Sequence, residues 1–196
     1  MTSDLQKLSR DDALALLREY TQNPSLIKHA LAVEAAMRAY ARKYSQDETK
    51  WGIVGLLHDF DYERYPNAPD HPLKGAEILT AKGYPEDVIH AIKSHAEYLG
   101  VPRQSLMDKT LFAVDELAGF LTAVALVRPS KNIADVTVES VKKKFKDKAF
   151  ARSVKREDIF QGAAELGVEL DAHIQFVVDA MKSVAPALEL DGSTAH

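Results

Sequence analysis

Five of the seven histidines, His29, His58, His71, His90 and His95, fall in the first half of the chain, and His58 stands directly before Asp59. Imidazole nitrogens and carboxylate oxygens that converge from separate elements bind a hard or borderline divalent ion, provided each imidazole is neutral and each carboxylate ionised. Asp115 adds a further carboxylate, and its neighbours three and four positions away, Leu111, Phe112, Ala118 and Gly119, offer it no charge partner. Leaving that charge unpaired on an apolar stripe costs on the order of several kcal/mol. Asp115 therefore calls for a cation, a salt bridge or a proton, and a metal is the most economical answer. No Gly-rich phosphate loop and no Ser or Cys in a nucleophile motif accompanies these residues, which argues against a P-loop nucleotide enzyme and against covalent catalysis.

Composition narrows the ligand chemistry. The 196 residues contain no cysteine, so a disulfide framework and a thiolate site are both excluded and any metal rests on histidine and carboxylate. With 46% hydrophobic and 28% charged residues and a formal net charge of -4, the chain has the profile of an ordinary globular protein rather than a disordered or polyanion-coating one. The opening MTSDLQKLSRDDALALL has early acidic residues and no uninterrupted apolar run, and no later stretch has the length of a membrane span. A cytosolic protein with no membrane contact is expected.

The elements that must position these side chains read as helices. Ser9 precedes DDALALLREY, in which Leu14, Leu17 and Tyr20 recur at three-residue steps. Asn23 and Pro24 open a second helix to about Tyr44, with His29 beside its apolar stripe. Asp47 caps a third, whose Trp51, Val54, Gly55 and His58 share a face that ends in the His-Asp pair. Residues 60–69 hold two prolines and read as a loop, after which Asp70 is expected to cap a helix ended by Gly83. Pro85 starts EDVIHAIKSHAEYL, Ser105 opens the long apolar segment to Val127 that should be the buried central helix, and Thr137 caps VESVKKKFKDK. Two more helices cover REDIFQGAAELG and LDAHIQFVVDAMKSVA. No alternating strand pattern appears. An all-α fold of about eight or more helices follows, as one domain over 1–188 with a flexible tail at 189–196 that has nothing to pack.

The series His29, His58-Asp59, His71, His95 and Asp115 resembles the metal site of the HD superfamily of hydrolases, with its lone histidine, HD doublet and distant aspartate. The runs LLHDFDYERYPNAPDHPLKGAEIL, VIHAIKSHAEYLGVPR and ALVRPSKNIADVTVESVKKKFKDKAF look more closely like those of a small bacterial group of predicted HD hydrolases, the HDIG-domain proteins. In place of the Ile-Gly that often follows the doublet stand Phe60 and Asp61. The resemblance implies an HD-type helical bundle in which His29, His58, Asp59 and Asp115 bind a first ion. It also implies that His71 and His95 bind a second, with Asp59 shared between the two. Such a pair of ions (Mn, Fe, Mg, Co or Zn) activates water against a phosphoryl group.

His90 precedes His95 by five positions and turns away from its face, so it reads as a surface or core residue, while His173 and His196 stand alone. Asp61 and Glu97, beside the metal-bound aspartates, are the candidates to orient water or move a proton. Lys74, Arg128, Lys131 and Lys144 are the candidate contacts for an anionic substrate, the last three if the lysine-rich helix folds back over the metals. The lysine run has only Phe145 and Phe150 as nearby aromatics in a chain of net negative charge, which argues against a nucleic-acid surface. The expected activity is hydrolysis of a small phosphate ester, a nucleotide being one candidate. The rival readings are a di-iron oxygenase with the same ligands and a non-catalytic sensor of metal or nucleotide. Oligomeric state is not legible.

Overall fold

Side-chain caps set where the helices of the computed structural model begin. Ser9 accepts from the Asp12 N–H ahead of α1 (Arg10–Tyr20), Asn23 from the Ser25 N–H ahead of α2 (Pro24–Lys43), and Asp47 from the Lys50 N–H ahead of α3 (Glu48–Leu57). After α4 (Asp70–Ala81) and α5 (Glu86–His95), Ser105 and Asp108 form a reciprocal capping box at the start of α6 (Leu106–Leu126), as do Thr137 and Ser140 at α7 (Val138–Phe145). The chain ends in α8 (Arg156–Leu166), α9 (Leu170–Lys182) and the single turn α10 (Ala185–Leu188). The structure describes residues 9–194, and among them there is no strand and no helix long and apolar enough to cross a membrane.

The all-α expectation holds. α6 is the central helix: Leu111, Ala113, Val114, Leu117, Ala118, Phe120 and Leu121 are wholly buried, and α2, α5, α8 and α9 all pack on it. α3 lies tightly along α2, because at Gly55 a Cβ would sit 2.9 Å from the Cα of Glu34. That close approach brings the end of α3 beside His29 on α2.

Three local expectations are corrected. Asp70 does not cap α4 through its side chain. Pro72 disfavours helical backbone at the residue before it, so His71 is extended (φ -78, ψ 134) and the regular turns start beyond it. α5 stops at His95 rather than continuing to Leu99, and a short 3-10 turn, Glu97–Leu99, follows before Gly100 at φ 63. Finally, the tail packs as far as it is described. Leu190 is buried, its carbonyl accepts from the Ile133 N–H at 2.8 Å, and Asn132 bonds the carbonyl of Asp191 at 3.2 Å. The segment 132–135 offers free backbone groups that a short apolar tail can satisfy.

Candidate metal centre

Five elements deliver the six donors: His29 from α2, His58 and Asp59 from the turn just past α3, His71 from the extended residue opening α4, His95 from the last position of α5, and Asp115 from the middle of α6. They form two sets, His29–His58–Asp59–Asp115 and Asp59–His71–His95, and within each set the ligand atoms lie within 4.8 Å of one another. In the first, Asp115 Oδ1 is 2.9 Å from His29 Nε2 and 3.3 Å from His58 Nε2. Asp59 belongs to both. Its Oδ2 lies 3.5 Å from His58 Nε2, while its Oδ1 lies 3.1 Å from His71 Nε2 and 3.3 Å from His95 Nε2.

A layer of acceptors behind the imidazoles aims them. His58 Nδ1 donates to the Gly55 carbonyl at 2.7 Å and His95 Nδ1 to that of Ile92. A carbonyl only accepts, so the Nδ1 atoms carry the protons and the Nε2 lone pairs point inward. For His71 the acceptor is Asp61, whose Oδ1 takes the Nδ1 proton at 2.8 Å while its Oδ2 accepts from the Gly75 N–H at 2.8 Å. Position 75 must lack a side chain, since a Cβ there would stand 2.8 Å from Asp61 Cγ. Asp61 is wholly buried behind His71 and does not line the cavity, which corrects its expected catalytic role: its carboxylate is spent on holding a donor.

The residues fit a divalent cation. His58 Nε2 is buried and makes no hydrogen bond, facing only carboxylate oxygens. Lone pairs aimed at lone pairs require a cation between them, whether a proton or a metal ion. The side chains alone show that demand as proton affinity. Burial works against charge on His58, yet Asp59 and Asp115 outweigh it and hold the imidazole well above its usual range. At His71 burial is likewise overcome, by Asp59 and Asp61, and its pKa is raised to about 9. Burial opposes ionisation of Asp59 and Asp115 too, but the facing histidines, His58 foremost, hold both carboxyls well below the carboxylate range.

Above the donors opens a cavity of about 290 Å³ whose walls include Tyr62, Glu97, Tyr98, Glu116, Lys155 and Asp158. Burial and the neighbouring Asp115 push the Glu116 carboxyl up to about 7, while the Lys155 N–H donates to its Oε2 at 3.2 Å. Glu97, named above as a candidate to move a proton, is among the residues that line this cavity. None of the four expected substrate contacts lines this cavity. Lys74 is exposed and paired with Glu77 at 3.0 Å. Arg128 and Lys144 border a separate hollow at the C-terminal end of α6, and Lys131 Nζ donates to the Thr194 carbonyl at 3.1 Å. The segment that folds back over the donors is 153–158, not the lysine-rich α7. Lys155 and Asp158 were missed because nothing in their spacing announces it, whereas Glu116 was readable as the neighbour of Asp115. His90 pairs with Asp108 at 3.1 Å, away from the donors, and His173 is buried between Tyr40 and the Ala113 carbonyl. His196 lies outside the described residues.

Residues 26–119, which contain all six donors, match the family model of the HD domain. Ribonuclease Y of Oleidesulfovibrio alaskensis is 30% identical over 106 residues, 51% of this chain and 19% of that protein. The ribonuclease Y of Lawsonia intracellularis is 32% identical over 91 residues, 44% of this chain and 16% of that protein. That of Nitratidesulfovibrio vulgaris strain DP4 is 33% identical over 104 residues, 51% and 19% respectively. The chain thus spans about a fifth of the length of these curated relatives. No solved structure matches it. Over residues 26–119, just under half of its length, the chain is similar to the HD domain.

Proposed function

We propose that this protein is a divalent-metal-dependent phosphohydrolase that cleaves a small phosphate ester with water as nucleophile. One observation carries the reading: Asp59 turns its two carboxylate oxygens toward two different histidine-containing donor sets, as a carboxylate shared between two cations must. His29, His58, Asp59 and Asp115 would hold one ion, and His71 and His95 with Asp59 the other. Bound there, the ions supply a water of lowered pKa and neutralise charge on the phosphoryl oxygens.

The chain's own part is positioning and charge. Asp61, Gly55 and Ile92 keep the Nε2 lone pairs on target, so no reorganisation is needed when the ester enters. Lys155, on the wall facing the donors, meets a non-bridging phosphoryl oxygen. Glu97 and Glu116, on the same wall, are placed to pass a proton to the departing alkoxide. The relatives, as ribonucleases, act on RNA, whose cleavage is likewise chemistry at a phosphate ester. For this chain a small ester is favoured over a polyanionic strand, because the acidic Glu97 and Asp158 stand against one lysine around the cavity. The setting proposed for this chemistry is the cytoplasm.

The test is a phosphate-release screen over small monoesters and diesters with Mn, Mg, Co or Fe added to the purified protein. Release that depends on the metal supports the reading. Stoichiometric iron with substrate-dependent oxygen uptake, or tight nucleotide binding without release of phosphate from any ester, contradicts it.

A further inference from the structure

Among the described residues seven large hydrophobic side chains are exposed, and isolated ones of this kind are ordinary on a protein surface. Two are not isolated. Tyr62 and Tyr98, 40% and 50% exposed, both line the cavity above the donors, and each is tied to the same metal-donor residue. The Tyr62 ring stands edge-on to the His71 imidazole, with centroids 5.2 Å apart at 85°. The Tyr98 hydroxyl donates to the His71 carbonyl at 2.5 Å. Each tyrosine is thus held at one side while its ring stays open to solvent at the cavity mouth. None of the metal-binding or proton-handling roles uses them.

Resting on the phosphohydrolase reading, we infer that Tyr62 and Tyr98 are specificity-determining residues that stack a planar aromatic ring in the ester's alcohol part. With the phosphoryl group at the donors in this cavity of about 290 Å³, the alcohol part extends toward the mouth, where the two rings are. The acidic Glu97 and Asp158 repel further phosphates from the cavity walls and leave a neutral ring unopposed. Aromatic faces bind such rings by stacking and tolerate their identity. The ring reaches the platform either as a nucleobase, through a sugar, or as an aryl group bonded directly to the ester oxygen.

Equilibrium binding to Mn(II)-loaded protein separates these, read by calorimetry with methylenephosphonate analogues that cannot be hydrolysed. The analogue of adenosine 5′-monophosphate is compared with that of ribose 5-phosphate, and benzylphosphonate with propylphosphonate. The ring-bearing member of at least one pair should bind about 10-fold tighter, and the pair that shows the gain identifies the source of the ring. Tyr62→Ala and Tyr98→Leu should bring that ratio close to one, whereas Tyr62→Phe should keep it. Equal affinities within both pairs, or a ratio that survives both truncations, would overturn the platform. Because the ratio is a binding measurement, it is independent of turnover: a protein that shows it yet releases no phosphate refutes hydrolysis and retains the platform.

Discussion

Asp59 and Asp61 carry the same carboxyl group two positions apart and do different work. Asp59 is aimed at three histidines, His58, His71 and His95, whereas Asp61 is turned inward to hold His71 from behind and to accept the Gly75 N–H. The resemblance to the HD metal site named His29, His58, Asp59, His71, His95 and Asp115, and the structure brings the six together. The division between ligand and support was not legible in the sequence, since it depends on which way each carboxylate points. Replacing Asp61 with Asn tests that division. An amide has one acceptor oxygen for two N–H donors and sets its own NH2 against one of them. Asp61→Asn should therefore weaken the ion at the Asp59–His71–His95 set by about 10- to 100-fold, leaving the His29–His58 set filled. Titration of Mn against a competing chelator reads this directly, and wild-type affinity for both ions would contradict the assignment.

Among the elements, legibility follows how local the cause is. Ser9, Asn23, Asp47, Ser105 and Thr137 cap helices where expected, because a cap needs only a side-chain oxygen and the N–H groups two or three residues on. The buried character of α6 followed equally from its own apolar run. What escaped is tertiary. Leu190 is too short a signal to announce an element, and it packs because Ile133, far away in sequence, offers a backbone N–H and a buried site. The return of 153–158 over the donors has its anchors in distant groups: Phe150 stands edge-on to Phe120, and Arg156 Nη2 bonds the Asp147 carbonyl at 2.9 Å. Four basic residues were accordingly assigned to the wrong neighbourhood, while Lys155 went unnoticed.

For the whole molecule, the buried histidines oppose one another in their effect on stability. His173 is held neutral by burial first, its pKa lowered. Its contribution is present above the unfolded value of ~6.5 and is lost as pH falls below it. The depressed carboxyls Asp59 and Asp115 act in the same sense at lower pH, their contribution lost only as pH falls through the acidic range. His58 and His71 are raised, so in chelator-treated protein their contribution is full below ~6.5 and is lost as pH climbs, through about 9 for His71. Stability of the chelated protein should peak near pH ~6.5. Above that its Tm should fall by several degrees toward pH ~9, about 1 kcal/mol being worth roughly 2–4 °C at this size. Saturating metal, which needs the same imidazoles neutral, should abolish the alkaline fall, and a chelated protein with flat Tm across that range would count against the electrostatics described here. The central claim is that Asp59 joins two cation sites into one centre, and elemental analysis of wild-type protein and Asp59→Ala tests it most directly. The account predicts about two divalent ions per chain in the wild type, with the variant losing metal and nearly all phosphate release; a variant that retains full metal content and full activity would contradict it.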